Sequence, residues 1–160
     1  MIKILILSDS HLFETNDQEL FGVNTYQSLQ SLTSSIRQKE RVFDLMVACG
    51  DLSEDGSAKA YDHFEHLTSG LAREVIWLPG NHDHFDHLSR LQKKDYFRGE
   101  WHAGPWSMIF LDTTIPELDE GFLGDGELER LRIFLASHAA RHIWIFMHHH
   151  PCRVGSEFID

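Results

Sequence analysis

Short apolar segments alternate with amphipathic ones along the first half of the chain. The segments Ile2–Leu7, Phe43–Ala48 and Val75–Leu78 are mostly apolar, which is typical of strands covered on both faces of a sheet. Between them, apolar residues recur at helical spacing over Asn24–Lys39. A second helix is predicted from the good N-cap Ser57 to the C-terminal stop Gly70. This strand–helix order predicts an α/β fold with a mostly parallel sheet.

The second half of the chain is less regular. A helix is predicted over Phe85–Lys94, and the segments Tyr96–His102 and Trp106–Leu111 predict a hairpin, because a Gly-Pro pair lies between them. Asp125 is expected to cap a further helix, and His142–Met147 to form the last strand. The predicted inward face of that helix consists of Leu128, Leu131, Phe134 and Leu135. No internal repeat or linker interrupts the pattern, so a single domain over residues 1–160 is predicted.

The composition is that of a folded acidic protein. Of the 160 residues, 42% are apolar, which favours folding over disorder. The net charge of −11 argues against a protein that coats nucleic acid or binds anionic membranes, since both functions need a basic surface. No apolar run is long enough to span a membrane or to act as a signal peptide, so a cytoplasmic location is expected. Cys49 lies in an apolar run and is expected to be a buried core thiol.

Residues of metal-ligand type follow each of the strongest predicted strands. The first strand is followed by Asp9-Ser10-His11, the second by Gly50-Asp51, the third by Gly80-Asn81-His82-Asp83 and the last by His148-His149-His150. In parallel sheets, ligands bind beyond the carboxyl ends of the strands. A single Asp-x-His or Gly-Asp is more typical of a polar turn than of a metal site. Their occurrence at all four strand ends favours a metal site over coincidence.

The spacing and residue types indicate how such a site would work. Asp9 and His11 are two residues apart, so in an extended segment both side chains would point to the same side and hold one cation. Asp51 has two oxygens and can bridge two ions, while Asn81 offers an amide oxygen and His148 an imidazole. This ligand mixture suits Mn²⁺, Fe²⁺/Fe³⁺ or Zn²⁺ better than Ca²⁺. Two such ions would clamp a phosphoryl group for attack by a hydroxide that bridges them.

These motifs resemble the calcineurin-like metallophosphoesterase superfamily, whose pattern is Asp-x-His, Gly-Asp, Gly-Asn-His-(Asp/Glu), a later His and a final Gly-His-x-His. The finer similarity is to class III cyclic-nucleotide phosphodiesterases and related glycerophosphodiesterases. The residues that carry it are Ser8-Asp9-Ser10-His11, Gly50-Asp51-Leu52-Ser53, Leu78-Pro79-Gly80-Asn81-His82-Asp83, Leu111-Asp112-Thr113 and Met147-His148-His149. The resemblance covers essentially the whole chain.

The resemblance implies a four-layer α/β/β/α sandwich and a small phosphodiester substrate. A 3′,5′-cyclic nucleotide such as cAMP is expected first, and a glycerophosphodiester or another phosphoester second. The implied ligands are Asp9 and His11 for the first of two divalent ions, Asp51 as the bridge, and Asn81 and His148 for the second ion. The implied catalytic residues are His82, which contacts the phosphate and assists the leaving oxygen, and Asp83, which would orient His82.

One part of the family pattern is missing from this sequence. No Gly-His-x-His follows His148, so each ion would lack one imidazole ligand and bind more weakly. The chain is therefore expected to be C-terminally truncated, with part of its second sheet uncovered unless a second copy forms a homodimer over that face. A catalytically inert form of the same fold is the alternative.

Overall fold

Two three-stranded β-sheets pack face to face between helices in the computed structural model, which describes residues 1–39, 42–84, 87, 95–137 and 142–156. The described strands are β1 (Ile4–Leu7), β2 (Glu19–Leu20), β3 (Val23–Asn24), β4 (Phe43–Cys49), β5 (Ala72–Leu78), β6 (Glu100–Ala103), β7 (Trp106–Phe110) and β8 (His142–Phe146). The described helices are α1 (Thr25–Lys39), α2 (Ala58–Thr68) and α3 (Asp125–Ser137).

The first sheet is parallel and the second is mixed. The first sheet has the order β1-β4-β5, with Val47 at its centre opposite Ile6 on one side and Ile76 on the other. In the second sheet, β6 and β7 form an antiparallel hairpin, and β8 adds parallel to β7. Because β1, β4 and β5 run in the same direction, the loops that follow them lie at one edge of the first sheet.

Apolar side chains fill three layers of core. On β4, Leu45 and Val47 face the second sheet, where they belong to the same cluster as Met108 and Phe110 of β7. The alternate β4 residues pack on the other face against α1 and α2, in a cluster that includes Met46, Ala48, Leu29 and Phe64. A smaller cluster of Ile109, Leu111 and Phe134 joins the second sheet to α3. The expected four-layer α/β/β/α sandwich is therefore confirmed.

Most predicted elements form where the sequence pattern places them. The helix from Ser57 is confirmed, with the Ser57 hydroxyl accepting a hydrogen bond from the Ala60 amide as an N-cap at 3.2 Å. The hairpin and the last strand form, and β1 begins at Ile4 rather than Ile2. The predicted helix over Phe85–Lys94 lies outside the described residues except for His87, and the short β2–β3 hairpin is not among the predicted elements.

The predicted inward face of α3 is wrong at two positions. Phe134 is buried and Leu131 packs against its cluster, but Leu128 and Leu135 are 44% and 48% exposed. The physical reason is geometric: α3 contacts the sheet along a narrow strip around Phe134, so residues about one-third of a turn away around the helix reach solvent. Within the described part of the chain, no helix has the length and hydrophobicity that crossing a bilayer requires.

Candidate metal centre

The candidate ligands lie in four loops that converge at one edge of the sandwich. Backbone hydrogen bonds hold the loops after β1 and β4 together: the Asp9 amide donates to the Gly50 carbonyl at 3.1 Å, and the His11 amide donates to the Asp51 carbonyl at 3.0 Å. The loop after β5 joins them through the His82 amide, which donates to Asp51 Oδ1 at 3.0 Å. The ligand-bearing loops are therefore fixed to each other by main-chain groups.

The backbone at three of these residues is left-handed. Asp9, His11 and Asp51 have φ angles of 55°, 42° and 51°. The sequence argument that Asp9 and His11 share one side of an extended segment is therefore wrong, because neither residue is extended. Tight turns at the strand ends bring the two side chains together instead, with His11 Nε2 lying 3.9 Å from Asp9 Oδ1.

Two glycines allow the loops to approach so closely. Gly50 has a φ of 84°, and a Cβ at this position would overlap the imidazole of His148. A Cβ on Gly80 would overlap the carboxylate and amide of Asp51. The Gly-Asp and Gly-Asn motifs are thus required by close packing as well as by turn geometry.

Two groups of possible ligands share the carboxylate of Asp51. His11, Asp51 and His82 form one group, and Asp9, Asp51 and His148 form the other, with the ligand atoms of each group within 4.8 Å of one another. Asp51 Oδ2 lies 3.8 Å from His11 Nε2 and 3.4 Å from His148 Nε2. Asp51 is 4% exposed, whereas the side chain of Asp9 is 58% exposed. A buried carboxylate between two imidazoles is the arrangement expected of a bridging ligand.

The second ring nitrogen of each ligand histidine is already engaged. His11 Nδ1 lies 2.7 Å from Glu54 Oε2, and His148 Nδ1 lies 2.9 Å from the Cys49 carbonyl oxygen. When Nδ1 donates to these acceptors, Nε2 is the nitrogen that faces Asp51, and it would bind a cation after releasing any proton that it shares with that carboxylate. These partners fix the tautomers that metal binding needs.

Glu54 contacts a second histidine of the site, and the sequence analysis does not include it. The same Oε2 atom that contacts His11 lies 3.3 Å from His82 Nδ1. The rings of His11 and His82 meet edge to face, with their centroids 5.1 Å apart. The sequence does show an acidic residue three positions after Asp51. Glu54 was not predicted as a site residue because only residues that directly follow a strand were considered.

The ion pair of Asp51 and His148 shifts the pKa of each group in the direction that favours its charged form. Burial opposes ionisation of Asp51, but hydrogen bonds from His148 and from the His82 amide outweigh it and lower the Asp51 pKa. Burial likewise disfavours the charged form of His148, yet the hydrogen bond to Asp51, helped by the Cys49 carbonyl, raises the His148 pKa to about 9. Burial raises the pKa of the neighbouring Cys49 thiol to about 11, as expected of an inert core thiol.

Asp83 binds backbone amides rather than the ring of His82. Its carboxylate accepts hydrogen bonds from the amides of Leu52 and Ser53, each at 3.1 Å, and from the Gly80 amide at 2.9 Å. Burial raises the pKa of Asp83 despite these bonds. The expected contact from Asp83 to His82 is therefore replaced: Asp83 ties the β4 and β5 loops together, and Glu54 contacts His82.

The remaining candidate residues are Asn81 and the three consecutive histidines after β8. Asn81 lies in the β5 loop beside His82, at the edge where the other candidate ligands meet. Of the three consecutive histidines, His148 faces Asp51, while His149 Nδ1 lies 2.7 Å from the Thr113 hydroxyl. Adjacent histidines of the triplet thus contact different partners.

The donor set fits two divalent ions. Carboxylates and imidazoles suit Mn²⁺, Fe²⁺/Fe³⁺ and Zn²⁺, and the Nδ1 partners are those that orient histidine ligands in metal sites. The side chains that the structure brings within ligand distance of one another are Asp9, His11, Asp51, His82 and His148, and Asn81 is adjacent to His82 in the β5 loop.

Comparison with known proteins finds a matching family and several similar proteins. The sequence profile of the family described as Calcineurin-like phosphoesterase matches residues 2–159. The chain is similar to proteins named 3′,5′-cyclic adenosine monophosphate phosphodiesterase CpdA, with 37% identity for that of Escherichia coli K12 and 34% for that of Pseudomonas aeruginosa. The CpdA of Vibrio vulnificus is 33% identical. In each case the match covers 99% of this chain and 59% of the relative, so the chain spans about three-fifths of the relatives' length.

Proposed function

Because this chain belongs to the calcineurin-like phosphoesterase family, we propose that it hydrolyses a small phosphodiester at the centre built around Asp51. The observation that carries the proposal is the buried Asp51 carboxylate, which two groups of potential cation ligands share. Asp9, His11, Asp51, Asn81 and His148 would hold two divalent ions. When bound, such ions offset the negative charge that develops on the phosphoryl oxygens and activate water for attack.

Residues around the proposed ions would position the histidines and supply a proton. Glu54 holds His11 and His82 in place through one oxygen, and the Cys49 carbonyl holds His148. His82 has a side chain that is 36% exposed beside the candidate ligands. In the proposed reaction it donates a proton to the departing ester oxygen as the phosphorus–oxygen bond breaks, and the proton is replaced from the attacking water.

The proposed substrate is a 3′,5′-cyclic nucleotide, with cAMP first. The names of the relatives support this choice, and the acidic charge of −11 weighs against a polynucleotide. A glycerophosphodiester is the second candidate, since small phosphodiesters of either kind present the same group to the ions. The proposed ions are Mn²⁺, Fe²⁺/Fe³⁺ or Zn²⁺, which the ligand set accommodates equally.

A cytoplasmic location and a homodimer belong to the same proposal. Support for a second copy comes from apolar side chains at solvent on β8 and β1, where Trp144, Ile145 and Ile6 are 41%, 43% and 50% exposed.

The proposal is tested by replacing the shared carboxylate. With Mn²⁺ present, we expect the wild-type chain to hydrolyse cAMP and bis(p-nitrophenyl) phosphate. Asp51→Asn should lower turnover of both by more than about a hundredfold, because it removes the bridging charge while keeping the side chain's shape. Asp62→Asn on the exposed face of α2 is the matched control and should behave as wild type.

Turnover that survives in Asp51→Asn would contradict the proposal. Wild-type protein that takes up no metal and hydrolyses no ester would support the inert alternative. Turnover of p-nitrophenyl phosphate, a monoester, in preference to both diesters would instead identify a phosphomonoesterase on the same scaffold.

A further inference from the structure

A cavity of about 260 Å³ opens beside the metal centre, between the end of β1, the β2–β3 hairpin and α1. Asp9 and His11, two of the candidate ligands, are among its lining residues, so the cavity borders the metal centre. A substituent of a ligand whose phosphate is held at the centre would therefore be near this cavity. Its lining residues are Leu7, Ser8, Asp9, Ser10, His11, Leu20, Val23, Thr25, Ser28, Leu29 and Leu32.

The lining is apolar and uncharged beyond the ligand residues. Leu7 and Leu29 are buried at 8% and 6% exposure and belong to the first core cluster. Val23 and Leu32 line the same cavity at 55% and 47% exposure, and Leu20 is partly buried. Apart from Asp9 and His11, none of the lining side chains is acidic or basic.

Hydroxyl groups supply the polar part of the wall. The Ser8 hydroxyl lies within hydrogen-bond distance of the Asp9 carboxylate and of the Cys49 carbonyl, and the Ser10 hydroxyl donates to the Leu52 carbonyl at 3.1 Å. Within the described residues, the hydroxyls of Thr25 and Ser28 make no hydrogen bond to protein groups. These two hydroxyls are available to a ligand, and both lie at the start of α1.

We propose that this cavity binds the nucleoside part of the substrate. The base would pack against the leucines, and its polar edge would form hydrogen bonds with the hydroxyls of Thr25 and Ser28. This inference rests on the proposed function. A mostly apolar cavity with a few hydroxyls suits an uncharged aromatic base. A charged or strongly hydrated substituent, such as the head group of a glycerophosphodiester, would lose hydration there without a charged partner. The cavity therefore favours a nucleotide over a glycerophosphodiester.

The test compares AMP, which has a nucleoside, with inorganic phosphate, which does not. Isothermal titration of the Mn²⁺-loaded protein should show AMP binding at least about tenfold more tightly than phosphate. Leu32→Glu should weaken AMP binding about tenfold, because it places a carboxylate at the mouth of the cavity. Leu32 is half exposed on α1, so the variant should fold, which circular dichroism verifies.

Leu128→Glu is the matched control, since Leu128 is 44% exposed on α3, an element that does not line the cavity. It should leave the affinities for AMP and phosphate unchanged. Equal affinities for AMP and phosphate in the wild-type protein, or equal effects of the two variants on AMP, would overturn the cavity assignment alone. If neither phosphate binding nor diester hydrolysis is found, the proposed function fails and this inference fails with it.

Discussion

At the scale of single residues, Glu54 is the side chain that joins the ligand histidine His11 to the histidine proposed as the acid, His82. One oxygen of a partly buried carboxylate faces both Nδ1 atoms, at 2.7 Å and 3.3 Å. Carboxylates that accept from ligand histidines set the tautomer and raise the basicity of the metal-facing nitrogen. In the proposed function, Glu54 would therefore act as a positioning residue, affecting metal affinity through His11 and proton donation through His82.

We expect Glu54→Gln to weaken Mn²⁺ binding about 10- to 100-fold, because the neutral amide no longer favours Nδ1–H on both rings. Titration of the metal-free protein with Mn²⁺ measures this directly, without recourse to activity. Glu14→Gln is the control, since the exposed Glu14 contributes only its backbone amide to the neighbouring loop. Equal affinity of Glu54→Gln and wild type would show that Glu54 has no orienting role.

The sequence was sufficient to identify candidate site residues that lie at strand ends. It was not sufficient to identify the side chains that hold those residues and their loops in place. Asp9, Asp51 and His148 were found because a strand end fixes where the next side chain can lie. Glu54 and Asp83 differ in this respect, because their partners other than Gly80 are 28 to 43 residues away in the chain and depend on how the loops cross. No local pattern specifies whether a loop carboxylate accepts from an imidazole or from backbone amides.

At the scale of elements, Asp55 connects the start of α2 to the loop after β1. Its carboxylate accepts hydrogen bonds from the amides of Ser57 at 3.0 Å and Glu14 at 2.8 Å, and from the Ser53 hydroxyl at 3.1 Å. Burial alone would raise the pKa of Asp55, but these hydrogen bonds outweigh it and lower the pKa. The carboxylate therefore stabilises the fold in its ionised form.

Asp55→Asn should lower the free energy of unfolding at pH 7 by about 1 kcal/mol, a value kept small because the side chain is exposed to solvent. Since the folded-state pKa is lowered, the contribution is present above the unfolded pKa and is lost as the pH falls through the folded value. Urea unfolding from pH 7 down to pH 3 should therefore show wild type and variant converging. Asp62→Asn, on the exposed face of α2, should match wild type at every pH; a constant gap for Asp55→Asn would refute the linkage.

Helix α3 offers a contrast between two neighbouring apolar residues. Phe134→Ala should cost about 3–5 kcal/mol, because the ring is 1% exposed within the cluster that joins α3 to the second sheet. Leu135→Ala should cost less than about 1 kcal/mol, because Leu135 is 48% exposed. Chemical denaturation of both variants measures the difference. Similar losses would mean that α3 packs with a wider face than the structure shows.

Most element types and their order were predictable because the strands of the first sheet are mostly apolar runs and α2 begins at a clear N-cap. The width of the buried face of α3 was not predictable, because helical periodicity identifies the apolar positions but not how many of them the sheet covers. The β2–β3 hairpin was missed because two-residue strands carry no periodicity.

At the scale of the whole molecule, the metal centre lies where the two sheets meet. Asp9, Asp51 and His82 follow strands of the first sheet, and His148 follows β8 of the second. Ions held by both sets of residues would crosslink the sheets at their carboxyl edge. Binding is thereby linked to the stability of the whole fold.

Saturating Mn²⁺ should raise the midpoint of thermal unfolding by about 5–10 °C. An ion concentration of about 100 times the Kd stabilises the folded state by about 2.7 kcal/mol, and each kcal/mol shifts the midpoint by about 2–4 °C in a chain of this size. Differential scanning calorimetry with Mn²⁺ and with EDTA measures the shift. His148→Ala, which removes the ligand from the second sheet, should abolish most of it, and an unchanged shift would exclude a crosslink between the sheets.

The left-handed backbone of Asp9, His11 and Asp51 lowers the stability of the fold, yet the proposed chemistry needs the side chains of these residues. Side chains in this conformation are strained by about 1–2 kcal/mol each, and glycine would relieve that strain. Glycine at these three positions would therefore relieve backbone strain, but it would also remove the side chains of the proposed centre. If the proposed function holds, these positions are a stability–activity trade-off, and any stabilised redesign of this scaffold should hold them fixed.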